Sequence, residues 1–271
     1  MAFIQEHPIH ISLEAKRSYR IIHFSDVHCI NLDKNQTPDE YEKAIKNEEA
    51  WLKVRKDFAN YFHEVCNEEH RIPSCKCLDN LLQFVQEQKP DAFIMTGDII
   101  DYYSKANLKY LEESLKNFSI PFILTYGNHE SPVTIFDYLT NSHSEFQVLE
   151  FPDFKIIGLD DSNKKISSKQ LKLLKEQLQD NKKVFISMHI PVMTKMNEED
   201  MQKYDSYFII DYKNCDETTK EFIETLENND SISAIFCGHT HGASESFFAK
   251  NKKQYCASSG LIGYVNTIFI H

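Results

Sequence analysis

An α/β fold, with two β-sheets packed as a sandwich and flanked by helices, is the architecture this sequence predicts. Three observations carry it. Short apolar runs rich in β-branched and aromatic residues recur along the chain, segments of helical period lie between them, and the final stretch reads as strands without helices.

The apolar runs at 19–24, 92–95, 122–124, 155–159, 184–187 and 233–237 each precede a polar turn, as strands do. Residues 78–88, 107–117, 168–179 and 217–228 have helical period; Leu171, Leu174 and Leu178, for example, fall on one face. Residues 246–249, 254–257 and 264–270 read as successive strands, an antiparallel meander closing the second sheet. One domain over 1–271 is expected, interrupted at 31–77 by a helical cap. Within that insertion, 39–70 is charged and helix-favouring, and Trp51, Leu52, Val54, Phe58, Tyr61, Phe62 and Val65 are spaced for one apolar stripe. A second insertion, 191–214, interleaves Met193, Met196, Met201, Tyr204, Tyr207 and Phe208 with charges; both insertions are read either as walls of the site or as ordinary surface helices packing a few apolar residues on the body.

Composition excludes several classes. A formal charge of -11 disfavours nucleic acid and anionic membranes as partners. The apolar runs fall far short of the roughly 20 residues of a membrane span, and residues 1–18 lack the pattern of a secretory signal, so a cytoplasmic protein is expected. Seven cysteines, an odd number scattered through the chain, suit reduced thiols better than a disulfide framework. Cys75 and Cys77 have no second pair with which to complete a metal site.

Five polar clusters stand where strands should end: Asp26-Val27-His28, Gly97-Asp98, Gly127-Asn128-His129-Glu130, Met188-His189 and Gly238-His239-Thr240-His241. Loops at the carboxyl ends of α/β strands converge on one edge, so clusters distant in sequence can share a site. Asp and His supply oxygen and nitrogen donors for divalent metals, and Asn adds a neutral carbonyl oxygen. His7, His10, His23, His63, His70 and His143 have no partner in these patterns and are read as surface or core residues.

These clusters, in this order, resemble the calcineurin-like metallophosphoesterase superfamily over about residues 20–257. The resemblance implies two divalent metal ions, manganese first, with iron, zinc or nickel compatible with the donors. It implies that Asp26, His28 and His241 hold one ion, that Asn128, His189 and His239 hold the other, and that Asp98 bridges them. Two ions roughly 3.5 to 4 Å apart can clamp a phosphate and activate a water. The resemblance also makes His129 the group that protonates the leaving alkoxide, and Asp101 the carboxylate that orients it. Cys29, next to His28, is read as a packed thiol outside the ligand set.

The expected activity is hydrolysis of a small phosphoester. Where protein phosphatases of the superfamily carry Arg-Gly after the second motif, this chain has Tyr102-Tyr103, and arginine occurs only at positions 17, 20, 55 and 71. A monoester dianion gains more from a bidentate guanidinium than a diester does, so a phosphodiesterase acting on a small nucleotide or other diester is favoured. Arg55 and Arg71 are the two that the insertion could carry over the site. Asp101 stands where purple acid phosphatases place a metal-binding Tyr, which argues against that group. A phosphomonoesterase, a DNA nuclease and a metal-free interaction scaffold are the alternatives.

Overall fold

The structure, a computed structural model, describes residues 2–116, 118–130, 145–180 and 182–271. His143 and the end of the 107–117 helix at Asn117 lie outside them. In chain order come β1 (Gln5–Ile11), β2 (Tyr19–Phe24), α1 (Pro38–Phe62), α2 (Ser74–Gln88), β3 (Ala92–Thr96), α3 (Lys105–Leu115), β4 (Phe122–Thr125), β5 (Phe146–Glu150) and β6 (Phe154–Leu159). After helix Ser168–Gln177 follow β7 (Lys183–Ser187), the short β8 (Val192–Met193) and β9 (Ile210–Asp211), and helix Glu217–Asn228. The chain ends with β10 (Ile232–Cys237), β11 (Ser244–Ala249), β12 (Lys252–Cys256) and β13 (Tyr264–Ile270).

Two large sheets form, ordered β1-β13-β2-β3-β4 and β11-β12-β10-β7-β6-β5, with β2, β3 and β4 parallel in one and β6, β7 and β10 parallel in the other. Their inner faces meet through Ile21, Ile94, Ile123, Phe154, Phe185, Phe236 and Ile268. The outer face of the first sheet, through Phe24, Phe93 and Met95, packs on Leu78, Leu81 and Val85 of α2 and Leu111 of α3. Helices Ser168–Gln177 and Glu217–Asn228 cover the second sheet through Leu171, Leu174, Phe222 and Leu226. Central strands buried on both faces read as continuous apolar runs, which is why they were legible.

The expected meander at the end does not form. β11 and β12 are antiparallel, but β12 then lies parallel to β10, and β13 leaves for the first sheet, between β1 and β2. β13 has Ile268 and Ile270 in the inter-sheet core and Val265 on the opposite face, so it needs neighbours on both edges and cover on both faces. The turn that carries the chain across passes Gly263 at φ 72°, where a Cβ would stand 1.9 Å from the Phe3 carbonyl oxygen. Strand β1 escaped the sequence reading because Pro8 and alternating polar residues disguise it; an edge position tolerates both.

Helix α1 begins with Pro38 and a capping box between Thr37 and Glu40, and ends at His63 in the left-handed region. Its buried residues are Ala44, Glu48, Arg55 and Ala59, not the expected aromatic stripe. The Arg55 guanidinium donates to the carbonyls of His70 (2.8 Å), Ile72 (2.9 Å) and Leu261 (3.4 Å), while Glu48 accepts from the backbone and hydroxyl of Ser74. Two helix positions are thereby pinned to the body of the protein, and Trp51, Phe58 and Phe62 turn towards the polar loops. Arg55→Ala is expected to lower the unfolding free energy by about 3–5 kcal/mol, because Glu48 loses its buried cationic neighbour. Chemical denaturation reads this, and a loss below about 1 kcal/mol would mean that α1 is held by other contacts.

Candidate metal centre

The five polar clusters follow the carboxyl ends of β2, β3 and β4 in the first sheet and of β7 and β10 in the second. They meet at one edge of the sandwich. Asp26 (φ 53°), His28 (φ 45°), Asp98 (φ 50°), His239 (φ 68°) and His241 (φ 55°) are all in the left-handed region, which costs non-glycine residues of order 1–3 kcal/mol each. Backbone bonds hold them there: the Asp26 N–H donates to the Gly97 carbonyl (3.1 Å), that of His28 to Asp98 (2.8 Å) and that of Gly238 to His189 (2.9 Å). Two glycines give the required closeness. A Cβ at Gly127 would fall 2.0 Å from Asp98 Oδ1, and one at Gly238 would fall 2.4 Å from Asp26 Oδ2.

Donor atoms of Asp26, His28 and His241 lie within 4.8 Å of one another, as do those of Asp98, His189 and His239. Asp98 Oδ2 stands 3.8 Å from His28 Nε2 and 3.3 Å from His189 Nε2, so this carboxylate lies between the groups. Asn128 Oδ1 is 3.1 Å from His189 Nε2, beside the second group. Asp26 is fully buried, its Oδ2 accepts from the His239 N–H (2.9 Å), and its Oδ1 has no hydrogen-bond donor. A buried carboxylate oxygen without a donor is costly unless a cation sits on it, so the donor set fits metal.

Asp98, His239 and His241 have electrostatics that match that fit, whereas at His189 burial is outweighed by Asp98 and Asp26, which push it up to about 10. Burial raises the Asp98 carboxyl, yet the imidazoles of His189, His28 and His129 outweigh it and hold the group well below the usual carboxylate range. Burial pushes His239 down to about 3 and His241 well below its ordinary value, keeping both rings neutral, the form in which imidazole binds metal. His189 Nδ1 donates to the Thr96 carbonyl (2.6 Å), which leaves its Nε2 as the nitrogen available to a metal.

His129 sits beside these groups, its backbone N–H donating to Asp98 Oδ1 (2.9 Å) and its ring Nδ1 to the Asp101 carbonyl (2.8 Å). Burial lowers its pKa, but Asp101 and Asp98 raise it further, to about 9. Asp101 Oδ1 lies 3.2 Å from His129 Nδ1 and 3.4 Å from His28 Nδ1, touching both rings.

Sequence reasoning missed what holds Asp101. Trp51 Nε1 donates to its Oδ1 (2.7 Å) and Asn47 Nδ2 to its Oδ2 (2.8 Å), both from α1. The Trp51 indole also stacks on His28 at 3.9 Å and on His241 at 5.4 Å, and Phe58 stacks on His241 at 4.7 Å. From the other side, Tyr207 and Phe208 approach the His239 ring, and Asn128 Nδ2 donates to the Tyr207 hydroxyl (3.0 Å). Two buried acids also escaped assignment. Glu130 accepts from the N–H groups of Asp98, Ile99, Ile100 and Gly127, and Asp161 from those of His189 and Ile190. Asp161, at the end of an apolar strand like the other clusters, was visible in principle.

The residues left out of the site stay out. His23 is a core histidine bonded to Thr96 and Asn266, His70 is buried against the Phe3 carbonyl, and His7, His10 and His63 are exposed. Cys29 lies in the core, and all seven cysteines are free. Arg55 and Arg71 do not reach the site: the first is buried among carbonyls and the second pairs with Glu68. Among the described residues no helix is long and apolar enough to cross a membrane.

Comparison with known proteins agrees with this geometry. A probable glycerophosphodiester phosphodiesterase, GpdQ, of Arcobacter nitrofigilis is 30% identical over 176 residues, covering 60% of each chain. A probable cyclic nucleotide phosphodiesterase, CBUA0032, of Coxiella burnetii is 24% identical over 163 residues, covering 56% of this chain and 60% of its own. The matched stretch thus spans less than two thirds of either relative. A dimetal phosphatase from Danio rerio shares the fold, with a TM-score of 0.57 over 92% of this chain and 91% of that one at 13% identity. The calcineurin-like phosphoesterase family profile matches residues 19–243, and the chain belongs to that family.

Proposed function

We propose that this protein hydrolyses small phosphodiesters at a dinuclear metal centre. Asp98, lying between two groups of buried metal-binding side chains, is the observation that carries the reading. Asp26, His28 and His241 would hold one ion and Asn128, His189 and His239 the other, with Asp98 common to both. Manganese is the ion we propose, and this mixed oxygen and nitrogen set also accepts iron, zinc or nickel. When bound, two divalent cations polarise the phosphoryl oxygens and lower the pKa of a water.

The protein's own groups do the rest. His129 gives a proton from Nε2 to the departing alkoxide, since its Nδ1 is engaged by Asp101. Asp101 fixes that tautomer, and Trp51 and Asn47 fix Asp101. The Trp51 and Phe58 rings keep water from one side of the histidines, which strengthens every charge interaction there. We propose that α1 thereby acts as a cap that completes the site.

The preference for diesters rests on the arginines. Arg17 pairs with Asp91, Arg20 bonds Gln88, Arg55 is buried in α1 and Arg71 meets Glu68, so none is placed to grip a dianion. Both curated relatives are named as phosphodiesterases. With metal-stripped protein titrated with manganese, kcat/KM for bis-p-nitrophenyl phosphate should exceed that for p-nitrophenyl phosphate by at least about tenfold. Faster monoester cleavage would discard the diester preference, and no turnover with any of the four metals would discard the hydrolase.

A further inference from the structure

A cleft of about 470 Å³ opens between α1 and the segment 203–208, large enough for a drug-sized ligand. Val54, Phe58, Tyr61, Phe62, Tyr204 and Phe208 line it, and it reaches Thr240, the residue between His239 and His241. The cleft therefore borders the metal centre, with Phe58 and Phe208 between the two. Phe58 rests on His241 and Phe208 on His239, so its walls touch one histidine from each metal-binding group. Four residues of the apolar stripe, Val54, Phe58, Tyr61 and Phe62, face this cleft, while Trp51 packs beside the core.

We infer that the cleft holds a planar aromatic group, of the nucleobase class, carried on the phosphoester; this deepens the phosphodiesterase reading and rests on it. Phe58 and Phe62 lie within 8° of parallel along α1, and Tyr61, edge-on to Phe62 at 4.9 Å, is 71% exposed. Rings so presented offer faces to a flat partner. A polyol would place its hydroxyls against hydrocarbon and lose their bonds to water. The charged residues at the walls are Asp57, Asp205 and a single Lys203, whose ammonium lies 5.0 Å from the Tyr204 ring. Two acids against one cation suit a neutral ring with amino donors better than a second anionic group. Stacking on aromatic side chains is sequence-tolerant and strong enough to decide between such ligands.

The test uses the metal-loaded protein and four inhibitors of bis-p-nitrophenyl phosphate hydrolysis that share one phosphate: 5′-AMP, glycerol 3-phosphate, hexyl phosphate and, as the baseline, inorganic phosphate. AMP should inhibit roughly 10- to 100-fold more tightly than glycerol 3-phosphate, the factor that base stacking supplies. Tyr61→Ala, at an exposed position that carries no core packing, should remove much of that difference. Equal inhibition by AMP and glycerol 3-phosphate would overturn the inference, as would hexyl phosphate binding as tightly as AMP. A second readout is independent of turnover. Trp51, the only tryptophan, stacks on the same histidine as Phe58. Adenosine should quench its fluorescence in the wild type and do so more weakly in Tyr61→Ala; no quenching would overturn the cleft assignment even in an active enzyme. Quenching without turnover would instead overturn the phosphodiesterase reading and keep the cleft.

Discussion

Asp98→Asn is expected to leave fewer than one metal ion per chain and to abolish diester hydrolysis while the fold persists. Asn keeps the shape of Asp and an acceptor for the His129 N–H. It removes the negative charge that lies between His28 Nε2 and His189 Nε2, and an amide turned towards those rings would present a donor where a cation needs an acceptor. Two cations cannot share a site closely without a bridging anion. Metal analysis after gel filtration, with circular dichroism to verify folding, reads the outcome, and a variant that retains two ions per chain would refute the bridging role.

His129→Ala should do the opposite: both metals stay, and turnover falls by about 10² to 10⁴, the usual contribution of a positioned acid. The ring also forms a compact group with His28 and Asp98, but its Nδ1 is bonded to Asp101 and about a third of the side chain is open to solvent. The loss should shrink for substrates whose leaving group needs no proton, such as p-nitrophenolate, and grow for alkyl diesters. A uniform loss across leaving groups would make His129 a binding group for the phosphoryl charge and not the acid. Loss of metal in this variant would place it among the ligands.

The two variants are designed to separate holding metal from moving a proton, and the polar clusters that they probe were largely legible in the chain itself. Asp26-x-His28, Gly97-Asp98, Gly127-Asn128-His129, His189 and His239-x-His241 each stand at the end of an apolar run, because polar side chains at a strand's carboxyl end need not enter the core. The strands that carry them are buried on both faces, which makes their runs continuous and their ends sharp. The two-sheet α/β fold and the order of the clusters follow from such local signals.

What local signals cannot report is which surface a side chain meets. The stripe Trp51, Phe58 and Phe62 has the spacing of a core face, yet α1 turns Ala44, Glu48, Arg55 and Ala59 inward and lays its aromatic rings over the histidines. Spacing fixes which residues share a face; only the partner across that face, here the carbonyls of His70, Ile72 and Leu261 that accept from Arg55, decides which face is inside. The same holds for β13, whose pairing with β1 and β2 depends on strands far away in sequence. The sequence by itself determined the fold class and the polar residues available for chemistry, because periodicity and strand ends are local properties. The tertiary structure alone decided that Asn47 and Trp51 bind Asp101, that Glu130 and Asp161 secure the loops, and that an aromatic cleft adjoins the histidines, because each depends on groups brought together from distant parts of the chain.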